Sequence, residues 1–194
     1  MRDRQARSRE KANEMLNIKT DRLILRRFRE EDSSALYAYL HDPQSSCFFS
    51  LRLSDEDSAL TEAKKRSADD QYVAVCLKKN DELIGDLFAM SEEDAISVGW
   101  NFNPRFAGQG YAFEAAHALF AYLFDERHAR RLYAYVEDTN QPSQRLCQKL
   151  GMRLEGTFME FISFMKDQQG QPVYENTMQY AILRREWGTL KARV

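Results

Sequence analysis

The stretch NPRFAGQGYAFEAAHALFAYLF, residues 103–124, places two glycines one residue apart at the start of a segment rich in alanine and aromatics. Apolar residues then recur at helical spacing, at positions 112, 115, 116, 119, 120 and 123, which predicts an amphipathic helix. The first amides of a helix lack partners within the helix, and glycine lets another group approach the backbone closely. The stretch therefore predicts either an anion site at a helix N-terminus or an ordinary structural turn.

Two familiar phosphate-binding patterns do not fit these glycines. No Lys-Ser or Lys-Thr pair follows Gly110, which excludes a Walker loop. Phe113 occupies the third glycine position of the dinucleotide fingerprint G-x-G-x-x-G, which excludes that motif as well. The spacing alone leaves the anion site and the structural turn as alternatives.

Strand and helix patterns flank this stretch on both sides. The predicted strands cover residues 22–28, 71–78, 82–90, 95–102, 130–137, 152–165 and 173–183, and the predicted helices cover 30–43, 54–67, 111–124 and 140–151. Strands 95–102 and 130–137 each lead into a helix, so we expect them to be parallel neighbours. The hairpins elsewhere predict antiparallel pairs, and hence a mixed sheet.

Composition limits the class of protein. The chain has 194 residues and no internal linker pattern, so we expect a polar tail at 1–18 and a single domain at 19–194. Lys and Arg total 28 against 30 Asp and Glu. This balance argues against a nucleic-acid partner, whose phosphates would favour a basic surface.

The cysteines and the hydropathy pattern bear on location. Cys47, Cys76 and Cys147 are odd in number, widely spaced and without histidines at metal-ligand intervals. They indicate free thiols in a reducing cytosol and no metal site. No stretch approaches the roughly 20 apolar residues that a membrane span requires. We therefore expect a cytoplasmic protein with no membrane partner.

Five segments together resemble a known family. RFAGQG at 105–110 resembles the R/Q-x-x-G-x-G/A motif of the GNAT superfamily of acyl-CoA-dependent N-acyltransferases, and GQGYAFEA at 108–115 resembles its form in the RimJ/RimL-like branch. The other four segments are TDRLILRRFREED at 20–32, VGW at 98–100, NQPSQRLCQKLGMRLEG at 140–156 and YAILRREW at 180–187. The resemblance implies the α/β GNAT fold, a mixed, mostly antiparallel sheet of seven strands flanked by about four helices.

The same resemblance implies acetyl-CoA as co-substrate and assigns its contacts. The pantetheine arm is expected between two splayed strands, beside Trp100, Asn101 and Phe102, and near Asn140 and Ser143. The pyrophosphate is expected on the backbone amides of Ala107, Gly108, Gln109, Gly110, Tyr111 and Ala112, with Arg105 as a candidate phosphate partner. Simpler roles remain open: core packing for Trp100 and Phe102, a loop charge for Arg105 and a helix cap for Asn140.

The catalytic groups are less well defined. Cys147 stands where many family members have a tyrosine that protonates the departing thiolate, so Ser143 becomes the candidate hydrogen-bond donor to that sulfur. The strand ISVGWNF at 96–102 has no carboxylate, which leaves Asp86, Glu114, Glu160 or no dedicated base.

The function predicted from the sequence is direct transfer of an acetyl group from acetyl-CoA to a primary amine, on a protein N-terminus or a small molecule. The alternatives are a catalytically weak CoA-binding module of the same fold and a nucleotide-phosphate binder. A homodimer through the C-terminal strands is a further expectation.

Overall fold

The structure is a computed structural model that describes residues 16–191. Its central element is one sheet in the order β1-β2-β3-β4-β5-β6-β8-β7. The strands are β1 (Asn17–Lys19), β2 (Leu23–Arg26), β3 (Tyr72–Leu77), β4 (Leu83–Glu92), β5 (Ala95–Phe102), β6 (Arg131–Glu137), β7 (Arg153–Lys166) and β8 (Pro172–Leu183). β5 and β6 are parallel and every other pair is antiparallel, which confirms the predicted mixed, mostly antiparallel sheet.

The sheet has eight strands rather than the seven expected, and the additional strand is β1. It is only three residues long, too short for an alternating pattern to stand out, and it forms by pairing with β2. Asn17 and Ile18, which the expected polar tail at 1–18 includes, belong to the sheet. The remainder of that tail, residues 1–15, lies outside the described residues.

Within residues 16–191, five α-helices pack on the sheet. They are α1 (Ser33–Leu40), α2 (Glu56–Ser67), α3 (Tyr111–Ala121), α4 (Gln141–Lys149) and α5 (Arg184–Lys191). α2 begins at Glu56 rather than at residue 54, because Asp55 is its N-cap and the Asp55 side chain accepts a hydrogen bond of 2.8 Å from the amide of Ser58. α5 was not predicted, because its first residues belong to the segment at 180–187 that was assigned to the closing strand.

The two faces of the sheet carry separate clusters of buried side chains. One cluster combines β-strand residues with α3, α4 and α5, including Val98, Leu119, Leu132, Leu146 and Trp187. The other lies under α1 and α2 and includes Leu36, Ala63 and Ala74. Because side chains alternate along a strand, Leu132, Ala134 and Val136 of β6 point into the first cluster, while Tyr133, Tyr135 and Glu137 point to the opposite face.

Candidate active site

β5 and β6 are paired over only part of their length. Their parallel register runs from Ala95 and Arg131 to Ser97 and Tyr133, and no register pair follows. β4, by contrast, stays paired with β5 as far as Phe102. Residues 98–102 of β5 therefore have β4 on one side and an open backbone edge on the other. This opening is the centre of the candidate site.

The side chains on the open part of β5 point to both faces. Trp100 and Phe102 pack against the first core cluster, so core packing accounts for both side chains. Asn101 lies between them, and its side-chain nitrogen is buried without a hydrogen-bond partner among the described residues. A buried amide nitrogen without a partner is uncommon, because it forfeits the hydrogen bonds that it would make with water.

Ser143 joins α4 to this edge. The indole Nε1 of Trp100 donates a hydrogen bond of 3.1 Å to the Ser143 hydroxyl oxygen. An indole nitrogen is a donor only, so the serine oxygen accepts and its own proton remains available for another group. The structure thus brings together two residues that were predicted to lie beside the pantetheine arm.

Asn140 is the N-cap of α4. Its side-chain oxygen accepts a hydrogen bond of 3.1 Å from the amide of Ser143, and its side-chain nitrogen donates to Ser45 Oγ at 3.0 Å and to Glu137 Oε2 at 3.3 Å. The helix-cap role left open by the sequence is therefore present. The same side chain ties α4 to the end of β6 and to the loop after α1.

The glycine stretch forms a short 3₁₀ turn followed by two residues with positive φ. Gly108 has φ 75° and Gly110 has φ 82°, a region that glycine enters without steric cost. The first backbone bond of α3 runs from Glu114 N to Gly110 O. Among described residues, the amides of residues 108–113 donate no hydrogen bond to a backbone carbonyl. These amides are arranged as a helix N-terminus that favours an anion.

The amide of one predicted phosphate contact, Ala107, already has a backbone partner. The amide of Ala107 donates a hydrogen bond of 3.0 Å to the carbonyl of Pro104, because that turn closes before the glycines begin. Ala107 is therefore poorly suited to a phosphate contact. The other predicted phosphate contacts have amides that donate to no backbone carbonyl among the described residues: Gly108, Gln109, Gly110, Tyr111 and Ala112. Arg105, the predicted phosphate partner, is 78% exposed and has Glu82 4.0 Å away.

Arg22 contacts this loop with its guanidinium, a contact that no predicted site residue included. Its Nη1 donates to the Gln109 carbonyl at 3.0 Å, and its guanidinium lies 4.5 Å from the centroid of the Tyr111 ring. Its Nη2 is 3.4 Å from where a Cβ on Gly110 would lie. The position of Arg22 in the segment TDRL gave no indication of this contact.

Glu114 holds Arg22 and Thr20 against α3. Its carboxylate accepts hydrogen bonds from Arg22 Nε at 2.7 Å, from the Arg22 amide at 2.9 Å and from the Thr20 hydroxyl at 2.6 Å. Burial raises the pKa of Glu114, but the hydrogen bonds from Thr20 and Arg22 outweigh it and hold the pKa below its ordinary value. A carboxylate stabilised in this way is a poor general base.

The other two base candidates are placed no better. Asp86 is buried, with Tyr39 Oη donating to it at 2.7 Å and Arg66 Nη1 3.1 Å away, so it links β4 to α1 and α2. Burial raises the pKa of Asp86, and the charge of Arg66 opposes that rise. Glu160 is exposed, with φ 48°, in a bulge of β7. None of the three meets the Trp100–Ser143 pair in a hydrogen bond.

Glu137, which the predicted base candidates did not include, contacts the Asn140 cap at the start of α4. It is the last residue of β6 and is 8% exposed. Its carboxylate accepts from Asn140, from the amide of Cys47 at 3.3 Å and from Ser46 Oγ at 3.4 Å. Its position in the sequence, at the end of a predicted strand and three residues before Asn140, could have indicated Glu137.

Cys147 lies on the buried side of α4. It is fully buried, and burial raises the pKa of its thiol to about 12. At neutral pH the side chain is a neutral thiol, which is a weak nucleophile compared with a thiolate. A cysteine in the family's tyrosine position therefore acts here as a small core residue.

These features fit the phosphate and pantetheine parts of a CoA thioester. A Cβ on Gly108 would meet nothing within 4 Å, so the loop is open to a bulky anion. The β5 edge offers backbone groups, and Asn101 offers an unpartnered amide. Within residues 16–191, no group of three or more His, Cys, Asp or Glu side chains could hold a metal ion, and no helix is long and apolar enough to cross a membrane.

The partly paired strands, the open helix N-terminus and the serine at the β5 edge define an acyltransferase of the α/β class. Residues 22–153 match the sequence model of the acetyltransferase (GNAT) domain, and the chain belongs to this family. It is 34% identical over 175 residues to the uncharacterized N-acetyltransferase YnaD of Bacillus subtilis, covering 89% of this chain and 99% of that protein.

Solved structures agree with this assignment. A GNAT-family acetyltransferase from Bacillus anthracis superposes with a TM-score of 0.78 at 29% identity, covering 87% of this chain and 99% of that chain. The microcin C7 self-immunity acetyltransferase MccE, solved in complex with acetyl-CoA and AMP, gives a TM-score of 0.66 at 15% identity, with 84% and 93% covered. The second likeness shows the fold alone.

Proposed function

We propose that the protein is an acetyl-CoA-dependent N-acetyltransferase that transfers the acetyl group directly to a primary amine. The observation that carries the proposal is the opening between β5 and β6, which has Ser143 on one side and leads through residues 103–107 to the glycine loop. Membership of the GNAT family and the fold shared with an acetyl-CoA complex support the choice of co-substrate.

Each part of acetyl-CoA has residues to hold it. The pyrophosphate would lie on the amides of residues 108–112, with Arg22 as the nearest cation. The pantetheine arm would run along the open edge of Trp100, Asn101 and Phe102 as an added strand. Asn140 and Ser143 would border the sulfur. When bound, acetyl-CoA supplies an acetyl group already activated as a thioester.

Ser143 would stabilise the sulfur as the carbon–sulfur bond breaks. Its oxygen accepts from Trp100, so its proton is free to be donated to the sulfur. A hydrogen bond to a charged group contributes about 1.5–3 kcal/mol, and here that contribution appears only as the thiolate forms. Ser143 then takes the part of the family's tyrosine.

The attacking amine must be neutral, so its proton must leave. Glu137 is the carboxylate nearest the Asn140 cap, at 3.3 Å, and we assign it this role together with water. Much of the acceleration needs no base, because holding two reactants together contributes up to about 7–11 kcal/mol in favourable systems.

The test mixes purified protein with acetyl-CoA and a panel of primary amines and follows free thiol, with CoA affinity measured separately by calorimetry. Amine-dependent thiol release is the expected result. Tight CoA binding without thiol release from any amine would favour the catalytically weak CoA-binding module, which the cysteine at position 147 and the lack of a β5 carboxylate motivate. Stabilisation by ATP and not by CoA would favour the nucleotide binder.

Three finer expectations accompany this function. The segment 108–115 supports assignment to the RimJ/RimL-like branch, and three free cysteines support a cytoplasmic location. A homodimer through β7 and β8 is the third, motivated by exposed apolar side chains on β7. Size-exclusion chromatography with light scattering tests the last, and its result bears on the inference that follows.

A further inference from the structure

An exposed aromatic cluster lies beside the opening, on the face of the sheet away from α3 and α4. It consists of Tyr135 on β6 and Phe158 and Phe161 on β7, with ring centroids 5.0–6.3 Å apart. The three side chains are 48%, 40% and 50% exposed. Packed rings left in water forgo apolar burial, and such a patch marks a binding surface more often than an accident of folding.

Two carboxylates border the cluster. Glu137 follows Tyr135 by two residues on the same face of β6. It is paired with Thr177 of β8, and Thr177 is paired on its other side with Phe158 of β7. Glu175 lies two residues before Thr177. The spacing of residues along a strand and of neighbouring strands puts the carboxylates roughly 7–10 Å from the rings. One small molecule spans that distance.

The two carboxylates converge on a single hydroxyl. Ser46 Oγ lies 2.6 Å from Glu175 Oε2 and 3.4 Å from Glu137 Oε1. None of the ion pairs within residues 16–191 includes either glutamate. Like charges held close together repel, and a cation placed between them relieves that repulsion. A cationic group is thus complementary to this end of the surface.

The 3₁₀ turn Ser46–Leu51 covers this end. It follows α1, packs against β7 and carries Phe48 and Phe49, both half-buried. The amide of Cys47 donates to Glu137, and Asn140, the N-cap of α4, donates to the same carboxylate. The surface is therefore continuous from the acetyl-transfer edge, past two carboxylates, to three exposed rings.

We propose that the acceptor is a low-molecular-weight monoamine with one aromatic or bulky apolar group, whose ammonium lies at Glu137 and Glu175 and whose apolar group lies on Tyr135, Phe158 and Phe161. The proposal rests on the acetyltransferase function above. An ammonium group is complementary to the two carboxylates that share one hydroxyl. A single ring or branched chain matches the extent of three neighbouring side chains.

The experiment measures kcat/KM by thiol release for 4-phenylbutylamine and for n-propylamine, which lacks the apolar group. Spermidine and a tetrapeptide with N-terminal phenylalanine serve as competing acceptors. Phe158→Ser and Phe161→Ser remove rings from the cluster. Met159→Ser is the matched control, because Met159 is 71% exposed in the same bulge and contributes no aromatic ring to the cluster.

The expected result is at least a tenfold preference for 4-phenylbutylamine that is lost in Phe158→Ser and Phe161→Ser and kept in Met159→Ser. The n-propylamine rate should be the same in wild type and Met159→Ser, and in Phe158→Ser and Phe161→Ser it should change far less than the 4-phenylbutylamine rate does. Equal rates for the two amines, or a preference for spermidine or the peptide, would overturn the inference and leave the acetyltransferase function intact. A dimer that Phe161→Ser converts to monomer with unchanged amine preference would assign the cluster to a second copy.

Binding separates the two proposals where turnover is absent. If no amine releases thiol, the acetyltransferase function fails, and calorimetry of 4-phenylbutylamine with the CoA-loaded protein decides the acceptor surface. Binding that needs Phe158 and is absent for n-propylamine would sustain the surface as an amine site. Equal binding of the two amines, or none, would overturn it.

Discussion

The indole of Trp100 and the hydroxyl of Ser143 are joined by a hydrogen bond of 3.1 Å that connects the open edge of β5 to the first turn of α4. The two residues are 43 positions apart, and α3 and β6 lie between them in the chain. Because Trp100 can only donate, this contact fixes the serine oxygen and leaves its proton directed elsewhere. The pair therefore both orients Ser143 and prepares it as a donor.

Removing that donor should slow catalysis. We expect Ser143→Ala to lower kcat by roughly 10- to 150-fold, equivalent to about 1.5–3 kcal/mol of lost stabilisation at the departing sulfur. Ser143→Thr, which keeps the hydroxyl, should retain most of the activity. Steady-state kinetics with a good acceptor amine provide the measurement. Equal kcat for wild type and Ser143→Ala would remove Ser143 from the mechanism.

A negative charge introduced at the glycine loop should weaken CoA binding. Gly110 has positive φ, a conformation that both Asp and Asn tolerate better than most residues. Gly110→Asp and Gly110→Asn therefore carry similar backbone strain and differ in charge. We expect Gly110→Asp to lose at least tenfold more CoA affinity than Gly110→Asn, about 1.4 kcal/mol. Calorimetric titration of the folded variants with CoA measures the difference, and equal affinities would place the pyrophosphate elsewhere.

Arg22 should contribute to CoA affinity through the phosphates. We expect Arg22→Gln to weaken CoA binding roughly tenfold, the loss of one charge-assisted hydrogen bond of about 1.5 kcal/mol. Pantetheine, which lacks the pyrophosphate, should bind the variant and the wild type alike. Arg105→Gln is the control, since the Arg105 side chain is 78% exposed with Glu82 4.0 Å away, and this variant should bind CoA normally. A larger loss for Arg105→Gln would reverse the roles of the two arginines.

The Glu114 contacts should give a pH-dependent share of stability. Burial raises the pKa of Glu114, but hydrogen bonds from Thr20 and Arg22 bring it below the ordinary value of 4.5. A carboxyl with a lower pKa in the folded state stabilises the fold above its unfolded pKa and loses that effect as the pH falls through the folded pKa. The Tm gap between wild type and Glu114→Gln should thus be full at neutral pH and shrink below 4.5. A gap of constant size down to acidic pH would contradict this assignment.

Local patterns predicted the elements that carry the site but not the contacts between them. β5, β6, α3 and α4 follow from apolar spacing and from glycine and proline boundaries, which depend on nearby residues. Arg22 contacts Gln109 across 87 positions, and Glu137 contacts Ser46 across 91. Such contacts depend on which strands pair and on how α1 and α3 pack on them. Resemblance located Asn140 and Ser143, yet only the three-dimensional arrangement reveals Arg22 and the engagement of Glu114.

Cys147 should remain unmodified during turnover. A covalent route would have its sulfur take the acetyl group from acetyl-CoA and pass it to the amine, which requires a thiolate in contact with the thioester. The side chain is instead fully buried on α4, and burial raises its thiol pKa to about 12, so thiolate is scarce at neutral pH. Direct attack of the amine on the thioester avoids this difficulty.

Intact-mass analysis after incubation with acetyl-CoA alone should therefore show no acetyl adduct on the protein. Cys147→Ala should keep most of its kcat and lose stability, because a buried sulfur is removed from the core. Cys147→Ser separates packing from chemistry: it keeps the size of the side chain but buries a hydroxyl, and its defect should likewise appear in Tm and not in kcat. A stoichiometric adduct that disappears when amine is added, together with a folded but inactive Cys147→Ala, would establish the covalent route instead.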